Sequence, residues 1–239
     1  MFLKSEQLLN WSRNPYVSVL APLLGTDISK DRQALYYALS LNNCANTRNT
    51  RRILCKRGGT RILAIGPAGN ARSYKNANEM ARRYGYKIWA ADGSALLFYE
   101  ATGSYPDVIV SDLDANPRTY ILAQQFGTLL VIQPHADNYY RLPHFASLIE
   151  ECNTIISSQT EPFSSSIPHN GFTDGDRILY LALGCGVKNI VLCCYDFTRI
   201  SSLHKQTYQK EIKLMISKML IKKLLEEYGK KLKVDILTH

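Results

Sequence analysis

Short, nearly continuous apolar runs alternate with longer mixed stretches through most of the chain. Arg61 to Ile65, Lys87 to Ala91, Asp107 to Val110, Thr128 to Ile132, Thr154 to Ser157 and Asn189 to Cys194 read as strands. Between them, Ser73 to Tyr84, Ser94 to Thr102, Pro117 to Phe126 and Arg141 to Glu151 read as helices. Pro117 suits a first helical turn, where its missing N–H costs nothing. Strands without apolar–polar alternation are buried on both faces, and their alternation with helices predicts a parallel sheet covered on both sides. Tyr208 to Tyr228 predicts a long helix, because Ile212, Ile216, Leu220 and Leu224 recur every four residues as one stripe. Leu232 to Leu237 follows as an edge strand.

The first 58 residues break this rhythm. Apolar positions recur at helical spacing around Leu8, Trp11 and Leu35 to Leu41, whereas Asn42 to Gly59 is polar and basic and reads as a linker. The expected architecture is α/β. Residues 59–239 form a doubly wound, mostly parallel Rossmann-like domain, and residues 1–58 form an N-terminal helical annex with its linker.

Composition narrows the class. An apolar fraction of 46% suffices for a sizeable core. No apolar run approaches the roughly 20 residues of a membrane span, and the start lacks a signal-like block. A cytoplasmic protein is expected. The six cysteines form no C-x-x-C pair and read as reduced, buried small hydrophobes. Within their run, Cys193 and Cys194 are expected on opposite faces of a strand. Charge is uneven: residues 1–60 carry nine basic and three acidic groups, and residues 203–239 carry nine and four. Basic ends around an acidic middle attract anionic small molecules such as nucleotides. The lysine-rich tail lacks interleaved aromatics for base stacking, so nucleic acid is not an expected partner. A homo-oligomer is compatible with the sequence.

Three acidic clusters follow successive apolar runs: Ser111 to Asp114, His135 to Asn138 and Gly171 to Arg177. Oxygen-rich clusters with few sulfur or imidazole groups favour Mg²⁺ sharing its shell with phosphates. Open α/β sheets bind ligands beyond the carboxyl ends of their strands. Asp112 and Asp114 flank Leu113, and in an extended segment both would face one ion. His135, Asp137 and Asn138 repeat that placement after Ile132. Thr173 with Asp176 also fits a capping box, and Asp174 suits a helix start, so part of the third cluster has a purely structural reading. The packing of Gly171, Gly175 and Arg177 beside them points to a site. Gly66 to Asn70, with Gly66 and Gly69, joins a strand to a helix and is either a tight turn or a phosphate-binding one.

These motifs, with Tyr195-Asp196-Phe197, resemble the archaeal-type 6-hydroxymethyl-7,8-dihydropterin pyrophosphokinase family over residues 61–225. That family is similar in fold to the catalytic domain of thiamine pyrophosphokinase. Asp112 and Asp114 match its paired aspartates, Asp137 and Asn138 its second motif, and Asp174, Asp176 and Arg177 its third. The family's usual His-Ala-His-Gly-Asp-Asn reads Gln133-Pro134-His135-Ala136-Asp137-Asn138 here, and its Gly-Pro-Ser reads Gly66-Pro67-Ala68. The resemblance implies ATP as co-substrate, Mg²⁺, a reduced pterin alcohol as acceptor, and a place in folate-type or methanopterin-type cofactor synthesis. Asp112, Asp114 and Asp176 are expected as metal ligands, and Asp137, Asp174 and Arg177 as catalytic groups. Gly66, Gly69, His135, Asn138, Thr173 and Lys210 are expected to bind the nucleotide, with Lys213 as a second lysine beside Lys210. Thiamine pyrophosphokinase, a metal-dependent Asp-x-Asp glycosyltransferase and a basic adaptor are the alternatives.

Overall fold

Among the described residues, eight strands join one all-parallel sheet. A computed structural model describes residues 16–42, 47–151, 153–160, 165–196, 208–229 and 233–237. Leu8, Trp11, Cys44, Cys152, Phe197 and Leu232 lie outside the described residues. The strands are β1 (Arg61–Ile65), β2 (Lys87–Ala91), β3 (Val108–Ser111), β4 (Leu129–Ile132), β5 (Thr154–Ser158), β6 (Ser166–Pro168), β7 (Asn189–Cys193) and β8 (Lys233–Leu237). The order runs outward from β1 to β6, then returns to the far side of β1 with β7. Leu63 accordingly lies opposite Ile88 on one side and Val191 on the other. That reversal opens a crevice at the carboxyl ends of β1 and β7, the place where such sheets take ligands.

Alternate strand residues feed two cores. Leu63, Ile65, Ile109, Ile132 and Val191 pack under α2 (Ile28–Leu41), α4 (Ala71–Tyr84), α5 (Ser94–Thr102) and α6 (Arg118–Gln125). Ile62, Ala64, Trp89, Val110, Val131 and Leu192 pack under α3 (Thr47–Gly58), α8 (Asp174–Gly184) and α9 (Tyr208–Tyr228). The period-two division of continuous apolar runs into two faces is what a doubly wound sheet requires. On α9, Ile216 and Leu220 cover Tyr16, Leu20 and Ala21, while Leu224 reaches the sheet core. The N-terminal segment, including α1 (Ala21–Leu24), thus packs on the last helix.

Four local expectations are corrected. Residues 47–58, read as part of a linker, form α3, whose Leu54 is buried against the sheet and whose Arg51 donates to the Gly184 carbonyl at 2.6 Å. Its polar composition reflects a solvated outer face. The cysteines are not all reduced: Cys55 of α3 is disulfide-bonded to Cys185 at the end of α8. The expected helix from Arg141 instead begins as a 3-10 helix (Ala136–Phe145), which α7 (Ala146–Ile149) continues. Pro143 lies inside it and has no N–H for an α-helical bond. Finally, Cys194 does not continue the strand; its φ of 62° brings its sulfur 3.4 Å from that of Cys193.

Candidate active site

The loop after β3 is organised by Ser111, whose hydroxyl donates to Asp92 and accepts the Leu113 N–H at 2.8 Å. Leu113 adopts φ 65°, so this segment is turned rather than extended. Asp112 and Asp114 still converge, but through that left-handed residue and not through strand geometry. Oxygens of Asp92, Asp112 and Asp114 lie within 4.8 Å of one another. Asp92 was not singled out from the sequence. It follows β2 as Asp112 follows β3, so an aspartate between a buried run and Gly93 was the available signal. Tyr120 also donates to Asp92, at 2.8 Å, which fixes the carboxylate.

Burial acts on Asp92, Asp112 and Asp174, and the outcomes diverge. At Asp92, burial and then the charges of Asp174, Asp112 and Asp114 push the pKa well above the usual carboxylate range. At Asp174, burial and then Asp112 raise it likewise, against the pull of Arg177. At Asp112 burial also opposes the charge, but the His135 hydrogen bond and the positive charges of Arg177 and Lys213 hold the carboxyl well below its ordinary value. Its Oδ1 is buried without a hydrogen-bond partner among the described residues. Repelling carboxylates around a buried, unpartnered oxygen fit a hard divalent cation, which supplies the missing ligand contact and relieves the repulsion.

The second cluster supports the first. His135 Nδ1 accepts the Asp137 N–H, which leaves Nε2 to face Asp112 Oδ2 at 3.3 Å. Asn138 is buried; its amide donates to the Asp112 carbonyl at 2.6 Å and to the Gln133 carbonyl at 2.9 Å. It ties the loops after β3 and β4 together. Asp137 is exposed and borders the cavity.

In the third cluster the carboxylates separate. Asp174 faces the cavity and accepts from Arg177 at 2.7 Å. Asp176 turns inward to cap α8, accepting from the Phe172 and Thr173 N–H groups and from the Thr173 hydroxyl. It is not among the converging carboxylates. Gly171 has no room for a side chain, since a Cβ would lie 2.6 Å from Arg177 Cα. Arg177 is buried, bridging Asp174 and Gln159 Oε1.

The turn after β1 is less open to phosphate than its glycines suggest. The Gly66 and Ala68 N–H groups donate to the Cys193 and Cys194 carbonyls, both at 2.9 Å. Gly66 and Gly69 allow that close approach to Cys194, and Pro67 and Ala68 face the cavity. That cavity, about 1070 Å³, also takes in Thr173, Lys210, Lys213, Phe172 and Tyr195. A wall from the N-terminal segment completes it, with Tyr16, Lys30 and Asp31. Buried Asp31 accepts from the Tyr16 hydroxyl and from the Ala136 N–H. No local pattern marks this wall, because nothing near Asp31 in the chain links it to a loop more than a hundred residues away.

A protein of Pyrococcus furiosus named 6-hydroxymethyl-7,8-dihydropterin pyrophosphokinase is 43% identical over 48% of this chain and 48% of its own. One of the same name from Methanocaldococcus jannaschii is 28% identical over 87% of both chains. A third, from Methanothermobacter thermautotrophicus, is 34% identical over 47% of both. The chain is thus similar to three archaeal proteins that share the name 6-hydroxymethyl-7,8-dihydropterin pyrophosphokinase. The match thus spans about half the length of two of these relatives and most of the third. No family model matches the chain. The likeness is accompanied by an all-parallel α/β sheet whose acidic loops meet at the strand ends. At the position where the resemblance sets a histidine, Gln133 is buried, accepting from His169 Nε2 at 2.7 Å and from the Ser157 hydroxyl at 2.9 Å. Among the described residues, no helix is long and apolar enough to cross a membrane.

Proposed function

We propose that this chain transfers diphosphate from ATP to the hydroxymethyl group of 6-hydroxymethyl-7,8-dihydropterin, or a closely related reduced pterin, and releases AMP. The names of its relatives support the reaction. The observation that carries the site is the convergence of Asp92, Asp112 and Asp114 in a cavity shared with Lys210 and Lys213. Asp92, Asp112 and Asp114 would hold Mg²⁺, which when bound neutralises charge on the transferring phosphates. Asp174 borders the same cluster, and Asp176 serves the fold of α8.

The alcohol oxygen attacks the β-phosphorus as the bond to the α-phosphate oxygen breaks, and the alcohol proton leaves to a nearby base. Such transfers need positioning and charge neutralisation more than covalent help. Asp137 is placed to take the proton, being a cavity-facing carboxylate anchored beside His135. His135 orients Asp112 through Nε2. Lys210 and Lys213 meet the phosphates, and Arg177 holds Asp174 in place. A cytoplasmic location belongs to this reading, because ATP is the donor.

The test supplies 6-hydroxymethyl-7,8-dihydropterin and thiamine separately with ATP and Mg²⁺ and follows AMP, with a chelator-treated control. AMP release with the pterin and not with thiamine, abolished by the chelator, is expected. Turnover of thiamine alone would assign the sister activity, and turnover of neither would refute the substrate reading.

A further inference from the structure

The cavity has two unlike sides. Lys210, Lys213 and Phe172 come from α9 and the start of α8, which cover one face of the sheet. Across the strand ends, Pro67, Ala68, Leu96, Leu97 and Ala115 come from the turns and helix starts of the opposite face. These five are uncharged and partly exposed. Asn116 stands beside them and also lines the cavity; its Oδ1 accepts the Arg118 N–H. Asp92 and Asp114 adjoin this shelf directly in sequence, through Gly93 and Ala115.

We propose that the shelf receives the flat ring of the acceptor alcohol, with the nucleotide on the lysine side. The inference rests on the diphosphate-transfer reading. In-line displacement sets the attacking and leaving oxygens on opposite sides of the phosphorus, so the acceptor and the nucleotide belong on opposite sides of the carboxylates. A hydroxymethyl group puts only one carbon between ring and attacking oxygen, so the ring must sit against the carboxylates themselves. The shelf does, and its apolar surface suits an uncharged bicyclic ring, with the Asn116 amide available to a polar ring edge. A triphosphate carries its charge over a longer reach and suits the lysines. Leu96, Leu97 and Ala115 are thereby specificity-determining residues for the acceptor.

Steady-state AMP release would be measured with the pterin varied at saturating Mg²⁺-ATP, and then with ATP varied at saturating pterin. In Leu96→Ala, which removes contact area, and Ala115→Leu, which fills the shelf, KM for the pterin should rise by roughly tenfold, the scale of a few methylenes in a pocket. KM for ATP should stay within about twofold. Lys213→Ala should show the reverse. A shift in KM for ATP with none for the pterin, or no shift in either, overturns the proposal. If the wild type releases no AMP with the pterin, the diphosphate-transfer reading itself has failed. The shelf is then decided by calorimetric titration with 6-hydroxymethylpterin. Binding lost in Leu96→Ala sustains it; equal binding in both proteins, or none in the wild type, overturns it.

Discussion

At Asp112, burial opposes the negative charge while His135, Arg177 and Lys213 favour it, and the charge prevails with one oxygen left unpartnered. Asp112→Asn keeps the shape and removes that charge. AMP release should fall by at least about 100-fold, an electrostatic loss of a few kcal/mol, with the circular dichroism spectrum unchanged. Asp174 and Asp176 should part company under the same substitution. Asp176→Asn keeps one accepting oxygen but replaces the other by a donor facing the Thr173 N–H and removes the charge, so it should cost about 1–3 kcal/mol of stability with little loss of turnover. Asp174→Asn should lose turnover while the melting temperature holds or rises, because repulsion from Asp112 and Asp114 is relieved. A stable, inactive Asp176→Asn would return that residue to the metal site. His169 gives the molecule a pH dependence. Burial and then Arg177 push its imidazole well below the ordinary range, so the folded protein keeps it neutral. The unfolded chain takes up a proton below about pH 6.5, so stability is full above that pH and lost as pH falls. In His169→Gln the slope of unfolding free energy between pH 6.5 and 5 should flatten by up to about 1.4 kcal/mol per pH unit.

Among the elements, β1 to β5 and β7 were legible because each is a mostly buried run with sharp ends, and their observed bounds fall within a residue or two of the apolar pattern; β8 was read from its position as an edge strand, and the three-residue β6 was not foreseen. Asp112 and Asp114 were legible for the same reason, as acids closing such a run. Asp31 was not, because its role depends on a contact with Ala136 that no local pattern encodes. Helix α3 was missed because its inner face is narrow: Leu54 is its one side chain in the sheet core among the described residues. Gly58 adds to that face by leaving space for Trp89, whose ring a Cβ would meet at 2.8 Å. The Cys55–Cys185 bridge followed from the same misreading, since a cysteine in a linker has no fixed neighbour. The bridge closes a separation of 130 residues. Cys55→Ser should therefore lower stability by about 2–4 kcal/mol in denaturant unfolding, and a reducing agent should do the same to the wild type.

For the whole molecule, the crowded carboxylates repel one another, and under the proposed function a bound cation would relieve that repulsion. Added Mg²⁺ should raise the melting temperature of the wild type, by mass action on a site present in the folded state alone. Asp92→Asn should begin from a higher melting temperature without the ion and gain less from it, and thermal scans across a Mg²⁺ series would show both effects. Equal gains in the two proteins would take Asp92 out of the cation's shell.

The placement of β7 beside β1 also fixes a timetable. Strands β1 to β5 can pair one after another as the chain lengthens, each with the strand just before it. The free flank of β1 must wait for Asn189–Cys193, so Ile62 to Ile65 stay open on that side until more than a hundred further residues have been made. Closing so long a loop is slow, and an unpaired apolar strand is prone to self-association meanwhile. A chain ending before β7 should accordingly be sticky and without a crevice, however complete its acidic loops, and the full chain should refold with its last, slowest phase reporting the arrival of β7.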